Sequence, residues 1–349
     1  MVTRIVGLDI GRDTVRGVEV ENAEKAKPTV VRFAEVPLPE GAVRSGEVRE
    51  VQTVAAAIRR LWSAGGFKSK DVVIGMGNQR MLARDLTVPK MNLQQIREAL
   101  PFQVQDMLPV PVADALLDFY PISESAGDNG PVINGLLVAA IKESVLGNVS
   151  AVRQAGLRPV QVDLIPFALT RVLVRGPLAR GTLALIDVGA STTNVVVATA
   201  GVPQFVRMIP AGGDDLTRAL VNRLEVSPEF AEQAKRARGF SSAPAGSELE
   251  GKSAEVINET TSELLNSLRN TISYFGNSRQ AEPVQAIVLT GGGARLGGFA
   301  QALGEATRIQ VIPADAFSTV EVARSIKNRG PQDTVNMTVA LGLALGSVA

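Results

Sequence analysis

Two short segments place an aspartate two residues before a glycine at the end of an apolar strand: Leu8-Asp9-Ile10-Gly11 and Ile186-Asp187-Val188-Gly189. A turn of this kind between two strands leaves successive backbone N–H groups pointing outward, and glycine lets the chain approach an anion without a Cβ clash. Such a turn can grip phosphate. The carboxylate beside it suits magnesium, which keeps most of its waters and takes one or two carboxylates plus phosphate oxygens. One copy alone would read as a hairpin whose aspartate satisfies nearby amides. Two copies favour Asp9 and Asp187 facing each other across a metal-bound nucleotide.

A third glycine cluster, Thr290-Gly291-Gly292-Gly293, follows the apolar run Gln285 to Leu289 and precedes a helix from Phe299. Glycines at a strand-to-helix turn let backbone approach something flat or anionic, or simply pack helix on sheet. Gly212-Gly213-Asp214 also follows a strand and opens a helix, where its amides would reach phosphate or form an ordinary N-cap. Gly246-Ser-Glu-Leu-Glu-Gly-Lys-Ser253 satisfies the pattern G-x-x-x-x-G-K-[ST]. It follows a polar loop rather than a buried strand, and Glu248 and Glu250 would put negative charge in a phosphate cradle, so the match is accidental.

The elements that must position these turns occur twice. Strands over Arg4 to Asp9, Thr14 to Val20 and Thr29 to Val36 precede a helix over Val51 to Trp62. Strands over Leu183 to Asp187, Thr193 to Ala198 and Gln204 to Ile209 precede a helix over Asp214 to Leu224, and the second copy lies 178 positions after the first. β-branched enrichment and polar, glycine-bearing turns support the strands. The repetition predicts two homologous lobes with a ligand cleft between them.

Between the copies, 85–162 reads as an inserted α/β unit. It holds a helix from Leu93 towards Leu108 capped by Asn92, strands over Leu116 to Ser123 and Val132 to Ala140, and a helix over Lys142 to Ala155. Leu93, Ile96, Leu100 and Val104 form one helical stripe, more often core than interface. Helices are expected over Pro228 to Arg238 and Ala254 to Phe275, separated by Gly239 to Ser247, whose composition favours a mobile loop.

Composition narrows the chemistry. With 349 residues, 45% of them hydrophobic, the chain has matter for two ordinary domains. A net charge of +1 gives no reason to expect a nucleic-acid partner. There is no cysteine and no histidine. Thiolate or imidazole metal sites, disulfides, cysteine nucleophiles and serine–histidine triads are therefore excluded. Neither a signal segment nor a membrane-length apolar run appears, so the chain reads as soluble and cytoplasmic.

Val6-Gly-Leu-Asp-Ile-Gly11, Leu185-Ile-Asp-Val-Gly-Ala-Ser-Thr-Thr193 and Leu289-Thr-Gly-Gly-Gly293 together resemble the first phosphate, second phosphate and adenosine motifs of the actin-like ATPase superfamily. The resemblance extends over nearly the whole chain. It implies an α/β, ribonuclease H-like, two-lobed ATPase fold of duplicated βββαβαβα lobes: 1–84 with 163–182, and 183–349, the latter including a helical subdomain at 213–284. It implies ATP and Mg2+ as ligands. Asp9 and Asp187 would hold magnesium through water; Gly11, Gly189, Ser191 and Thr192 would contact phosphates; Gly291, Gly292 and Gly293 would lie against the nucleoside. Arg12 sits in the first turn as a further contact. Arg16 stands where relatives often place a phosphate-facing lysine, or is a surface strand residue. Glu232 and Lys235 match a Glu-x-x-Lys pair that relatives use at the nucleoside, a spacing that otherwise marks an exposed ion pair.

The insertion, with Asp85-Leu-Thr-Val-Pro-Lys, Ala99-Leu-Pro-Phe-Gln-Val-Gln and Val162-Asp-Leu-Ile-Pro-Phe-Ala-Leu169, is similar to the PilM family in the FtsA-like branch of that superfamily. That similarity implies a cytoplasmic ATP-binding adaptor of type IV pilus or related secretion machinery. Its partner would be the cytoplasmic N-terminal segment of a PilN-type inner-membrane protein, which would recruit it to the membrane's inner face. FtsA relatives carry an amphipathic membrane-binding helix after a linker. Here Asn336 to Gly346 resembles the last core helix and the chain stops at Ala349, so no direct anchor is expected. Relatives place a hydrolytic base near the segment matching Gln161 to Pro166. Asp163 is the candidate, but Ile165 stands where many relatives are acidic, so hydrolysis is expected to be slow or absent. A filament-forming FtsA-like ATPase, with self-association, and a small-molecule kinase of the same fold remain the alternatives.

Overall fold

The computed structural model describes residues 3–25, 27–241, 246–278, 283–324, 326 and 336–346. The first lobe opens with antiparallel β1 (Arg4–Ile10), β2 (Thr14–Glu21) and β3 (Thr29–Pro37), then α1 (Val51–Gly65) and β4 (Asp71–Met76). The chain departs through β5 (Met81–Pro89), α2 (Leu93–Gln103), β6 (Ala115–Gly127) and β7 (Gly130–Ile141). It returns through α3 (Lys142–Gln154), β8 (Arg158–Leu164) and α4 (Ile165–Leu173).

The second lobe contains β9 (Thr182–Val188), β10 (Thr193–Thr199), β11 (Val202–Ile209), α5 (Gly213–Leu224), α6 (Pro228–Arg238) and α7 (Glu248–Ser278). It continues with β12 (Ala286–Thr290), α8 (Phe299–Thr307), β13 (Gln310–Pro313) and α9 (Thr338–Ala344). Residues 242–245 of the expected loop lie outside the described residues.

The duplication is realised strand for strand. The first sheet runs β8-β4-β1-β2-β3, with Glu321-Val322 added beyond β3, and the second runs β11-β10-β9-β12-β13, the same order read from the other end. Register repeats as well: Asp9 lies opposite Arg16, and Asp187 opposite Asn194. Strand β9 is buried along its whole length, which fits its apolar run Leu183 to Ile186 and its place between β10 and β12 with both faces covered.

The lobes are joined by an exchange of helices. Helix α9 packs on β1, β2 and β4 of the first sheet, while α4 packs on β9, β10 and β11 of the second, and the two helices touch. Two glycines permit this seam. A side chain at Gly7 would collide with the Ala340 carbonyl, and one at Gly342 with the Ala168 carbonyl. Every residue of α9 is buried.

The separate subdomain is shorter than expected. Its sheet, β5-β7-β6, begins at Met81 and ends at Ile141. Helix α3, expected inside the insertion, belongs to the first lobe together with β8, whose residues 158–162 also fall within the expected bounds, since β8 pairs in parallel with β4. Parallel neighbours need a crossover, and α3 packed on α1 supplies it, so the insertion hangs between β4 and α3. Ile96, Leu100 and Val104 of the stripe are core, but Leu93 is 42% exposed. Helix α2 stops at Gln103 rather than near Leu108. Helix α7 starts earlier than expected, at Glu248, where acidic residues complement a helix N-terminus. The G-x-x-x-x-G-K-[ST] match forms this first stretch of α7, with the Gly246 amide donating to Glu250 Oε2 at 2.7 Å.

Candidate functional site

The two Asp-x-Gly turns have the same internal geometry. The Gly11 amide donates to the Thr14 carbonyl at 3.0 Å, and the Gly189 amide to the Thr192 carbonyl at 3.0 Å. Each turn therefore presents its middle residues, Arg12 and Asp13 or Ala190 and Ser191, to the space between the lobes. That space is a cleft of about 1010 Å³, and every predicted metal and cofactor residue lines it. Asp163 does not.

The carboxylates at its floor are poorly compensated. Burial raises the Asp9 carboxyl above the usual range, and Arg16, with Nη1 3.4 Å from Oδ2, works against that rise. Burial, and then the charge of Asp9, push Asp187 up to about 6, while a hydrogen bond from Asn194 opposes the shift. Two buried carboxylates share one nearby guanidinium, and a divalent cation between them would relieve both. Arg16 also bonds Glu35 through Nε at 3.1 Å, which fixes its direction.

Glycines make the rest of the cradle. Gly291 has φ +94°, and a side chain there would lie 2.6 Å from Asp187 Oδ1, whereas one at Gly292 would meet nothing within 4 Å. The strand-to-helix turn thus packs hard against the carboxylate at one residue and opens to the cleft at the next. Two buried polar atoms lining the cleft, Asn194 Oδ1 and Thr261 Oγ1, have no hydrogen-bond partner among the described residues. Orphaned polar groups in a polar cleft fit a hydrated cation and a nucleotide.

The Gly212-Gly213-Asp214 segment has a different role from phosphate capture. The Gly212 amide donates to Asp215 Oδ2 at 2.7 Å, the Gly213 amide to the Gly189 carbonyl at 3.0 Å, and the Asp214 amide to the Ala190 carbonyl at 2.8 Å. The Gly212 amide thus caps its own helix, and the Gly213 and Asp214 amides are spent on the second turn, which they brace. A side chain at Gly212 would sit 2.5 Å from the Gly189 and Ala190 carbonyls, so glycine is required for the contact.

Glu232 and Lys235 point inward rather than forming a solvated pair. Lys235 Nζ donates to Glu232 Oε1 at 2.6 Å, Thr217 Oγ1 at 2.9 Å and the Gly213 carbonyl at 3.1 Å. Burial alone would raise Glu232; the hydrogen bonds from Lys235 and Thr217 outweigh it and hold the carboxyl low. Arg12 reaches across the cleft to Asp214, Nη1 to Oδ1 at 2.5 Å.

Asp163 is turned away. It accepts from Arg171 and from the Leu164 amide, and Arg171 Nε in turn donates to the Gly342 carbonyl at 3.2 Å. Strand β8 ends at Leu164 and Ile165 opens α4, so the same-face relationship of residues two apart in a strand does not carry over from Asp163. It is Ile165, two residues on, that borders the cleft. The expected catalytic carboxylate is thus a buried anchor between β8, α4 and α9.

Sequence reasoning missed Asn194 and Thr261. Asn194 was accessible, because it lies 178 positions after Arg16 and so occupies the same place in the second copy. Nothing in the amphipathic pattern of α7 distinguishes Thr261 from its neighbours.

A family model described as type IV pilus assembly protein PilM matches residues 7–348. The chain is similar to the structure of a PilM–PilN type IV pilus biogenesis complex, with 27% identity, a TM-score of 0.82 and coverage of 98% of this chain and 97% of that one. Spiroplasma citri MreB5 bound to ADP shares the fold at 11% identity and a TM-score of 0.51, over 97% and 94% of the two chains. Cell division protein FtsA of Bacillus subtilis is 21% identical over 258 residues, 67% of this chain and 58% of that protein, so the chain spans less than two thirds of the length of this relative. The fold is the actin-like two-lobed one, and the chain belongs to the PilM family of type IV pilus assembly proteins.

Proposed function

We propose that the chain is an ATP-binding adaptor of type IV pilus assembly that hydrolyses ATP slowly or not at all. The observation that carries this reading is the pair of buried carboxylates, Asp9 and Asp187, each beside an identically closed glycine turn on opposite walls of one cleft. Asp9 and Asp187 would hold magnesium through water, and the turn residues Gly11, Arg12, Gly189, Ser191 and Thr192 would bind phosphates. Gly291 to Gly293, Glu232 and Lys235 would border the nucleoside. When bound, magnesium neutralises phosphate charge. With Asp163 tied to Arg171 and Ile165 bordering the cleft, the 161–166 segment offers no carboxylate to orient water. Turnover well below the ~1 s⁻¹ of ordinary kinases follows.

The partner we assign is the cytoplasmic N-terminal segment of a PilN-type inner-membrane protein, supported by the likeness to a PilM–PilN complex. No helix among the described residues is long and apolar enough to cross a membrane. The test is titration of that segment, as a synthetic peptide, into the full chain with and without Mg-ATP. Binding whose affinity shifts with nucleotide supports an adaptor; absence of binding in both conditions overturns it.

A further inference from the structure

A second cavity, of about 340 Å³, opens at the far end of the first lobe between the end of α1, the loop 66–70 and the end of α3. Lys70 precedes β4 and Leu157 precedes β8, so the cavity lies at the N-terminal ends of these strands. The nucleotide cleft lies at the opposite ends, where Gly75, Met76 and Gly77 line it. The length of the sheet separates the two.

Ile58, Trp62, Phe67 and Leu157 give the cavity an apolar lining, Arg59, Lys68 and Lys70 give it charge, and no acidic residue lines it. The Trp62 and Phe67 rings meet at a tilt of 52°, with centroids 5.1 Å apart. In a chain of net charge +1, this is a local excess of cations beside a half-buried tryptophan.

The loop is built rather than incidental. Glu19, fully buried, accepts from the amides of Lys68 at 2.8 Å and Ser69 at 2.7 Å, and pairs with Arg32 at 2.6 Å. Trp62 Nε1 donates to the Ser69 carbonyl at 2.9 Å. The backbone is thus pinned from beneath while both lysine side chains stay exposed, without an ion pair among the described residues. Cations near helix C-termini commonly answer the helix dipole, and Arg59 does so by donating to the Gln154 carbonyl of α3 at 2.9 Å. Lys68 and Lys70 stand on a loop, and the fold gives them no such task.

We propose that this cavity docks an acidic peptide segment carrying one large apolar side chain. The apolar side chain would seat on Trp62 and Phe67, and the flanking carboxylates would meet Lys68, Lys70 and Arg59. Charge complementarity selects an anionic partner. Shape selects a peptide over a bilayer: the site is concave, and none of its lining residues is among the exposed large hydrophobic side chains a membrane contact would insert. The inference does not rest on nucleotide binding.

Trp62 is the only tryptophan of the sequence, so its fluorescence reports on this cavity alone. The full chain is titrated with a short peptide of aspartates and glutamates around one leucine. Controls are the same peptide with glycine for leucine, a charge-reversed lysine peptide, and phosphatidylglycerol vesicles. The expected result is a saturable change with the acidic leucine peptide, weakened by added salt and at least about tenfold weaker in Lys68→Glu/Lys70→Glu and with the glycine control. Ala155→Leu, which fills the cavity and leaves its charge intact, is expected to weaken the response to the leucine peptide. No saturable response, or an equal response in the charge-reversed variant, overturns the proposal. So does a Trp62 change with vesicles but not with peptide, which would assign the surface to lipid.

Discussion

Arg12 in the first glycine turn and Asp214 at the start of α5 form a 2.5 Å ion pair that ties one lobe to the other at the cleft. Both side chains line the cleft, where the pair would restrain the opening that releases a bound nucleotide. A partly exposed pair of this kind is worth about 1 kcal/mol, or roughly fivefold in a rate. Asp214→Arg is therefore expected to speed release of a fluorescent ATP analogue several-fold in stopped-flow measurements. Unchanged release in Asp214→Arg would show that the pair does not restrain the lobes.

Asp187 makes stability and ligand binding depend on pH in opposite senses. Its folded value of about 6 lies above the ordinary 3.8, so the folded chain holds the proton more tightly. This favours folding fully below the ordinary value and is lost as pH rises through about 6, a swing on the order of 2–3 kcal/mol. The nucleotide-free chain should be stabilised by Asp187→Asn at pH about 8, and the gain should vanish by pH about 4, read by thermal unfolding. Magnesium-dependent nucleotide affinity should move the other way, falling below pH about 6 because the carboxylate must be ionised.

Asp163 separates an anchoring role from a catalytic one. Arg171 is partly exposed and burial already raises the Asp163 carboxyl, so loss of this charged hydrogen-bond partner costs about 1–3 kcal/mol. Asp163→Asn should lower the denaturation midpoint by an amount of that order. Any residual ATP turnover per folded molecule should stay within about twofold of the parent, since the side chain does not border the cleft.

Much of this site is legible in the sequence, because its chemistry is local. Asp9 and Asp187 stand beside their own glycine turns, and β-branched strands on either side announce the hairpins. What was hidden depends on direction and on distant packing. The amides of Gly213 and Asp214 read as free donors until the fold brings the Gly189 and Ala190 carbonyls against them, and the Gly212 amide until Asp215 turns back to accept from it. Asp163 is near the right segment, but the facing of one strand end and the reach of Arg171 turn it away. The insertion's edge was misplaced because a crossover helix such as α3 has the same local pattern whichever sheet it serves.

The seam between the lobes should tolerate no side chain at Gly342. A methyl group there would strike the Ala168 carbonyl, which is backbone and cannot rotate aside. Gly342→Ala is expected to destabilise the chain by about 1–3 kcal/mol or more in chemical denaturation.

The most direct test of the nucleotide cleft is calorimetric titration of Mg-ATP into the full chain, with Asp9→Ala and Asp187→Ala alongside. Both variants should keep their fold, since each removes a buried, poorly compensated charge. The account predicts saturable, roughly micromolar binding in the parent chain that either substitution abolishes. Absence of binding in the parent, or undiminished binding in both variants, would contradict it.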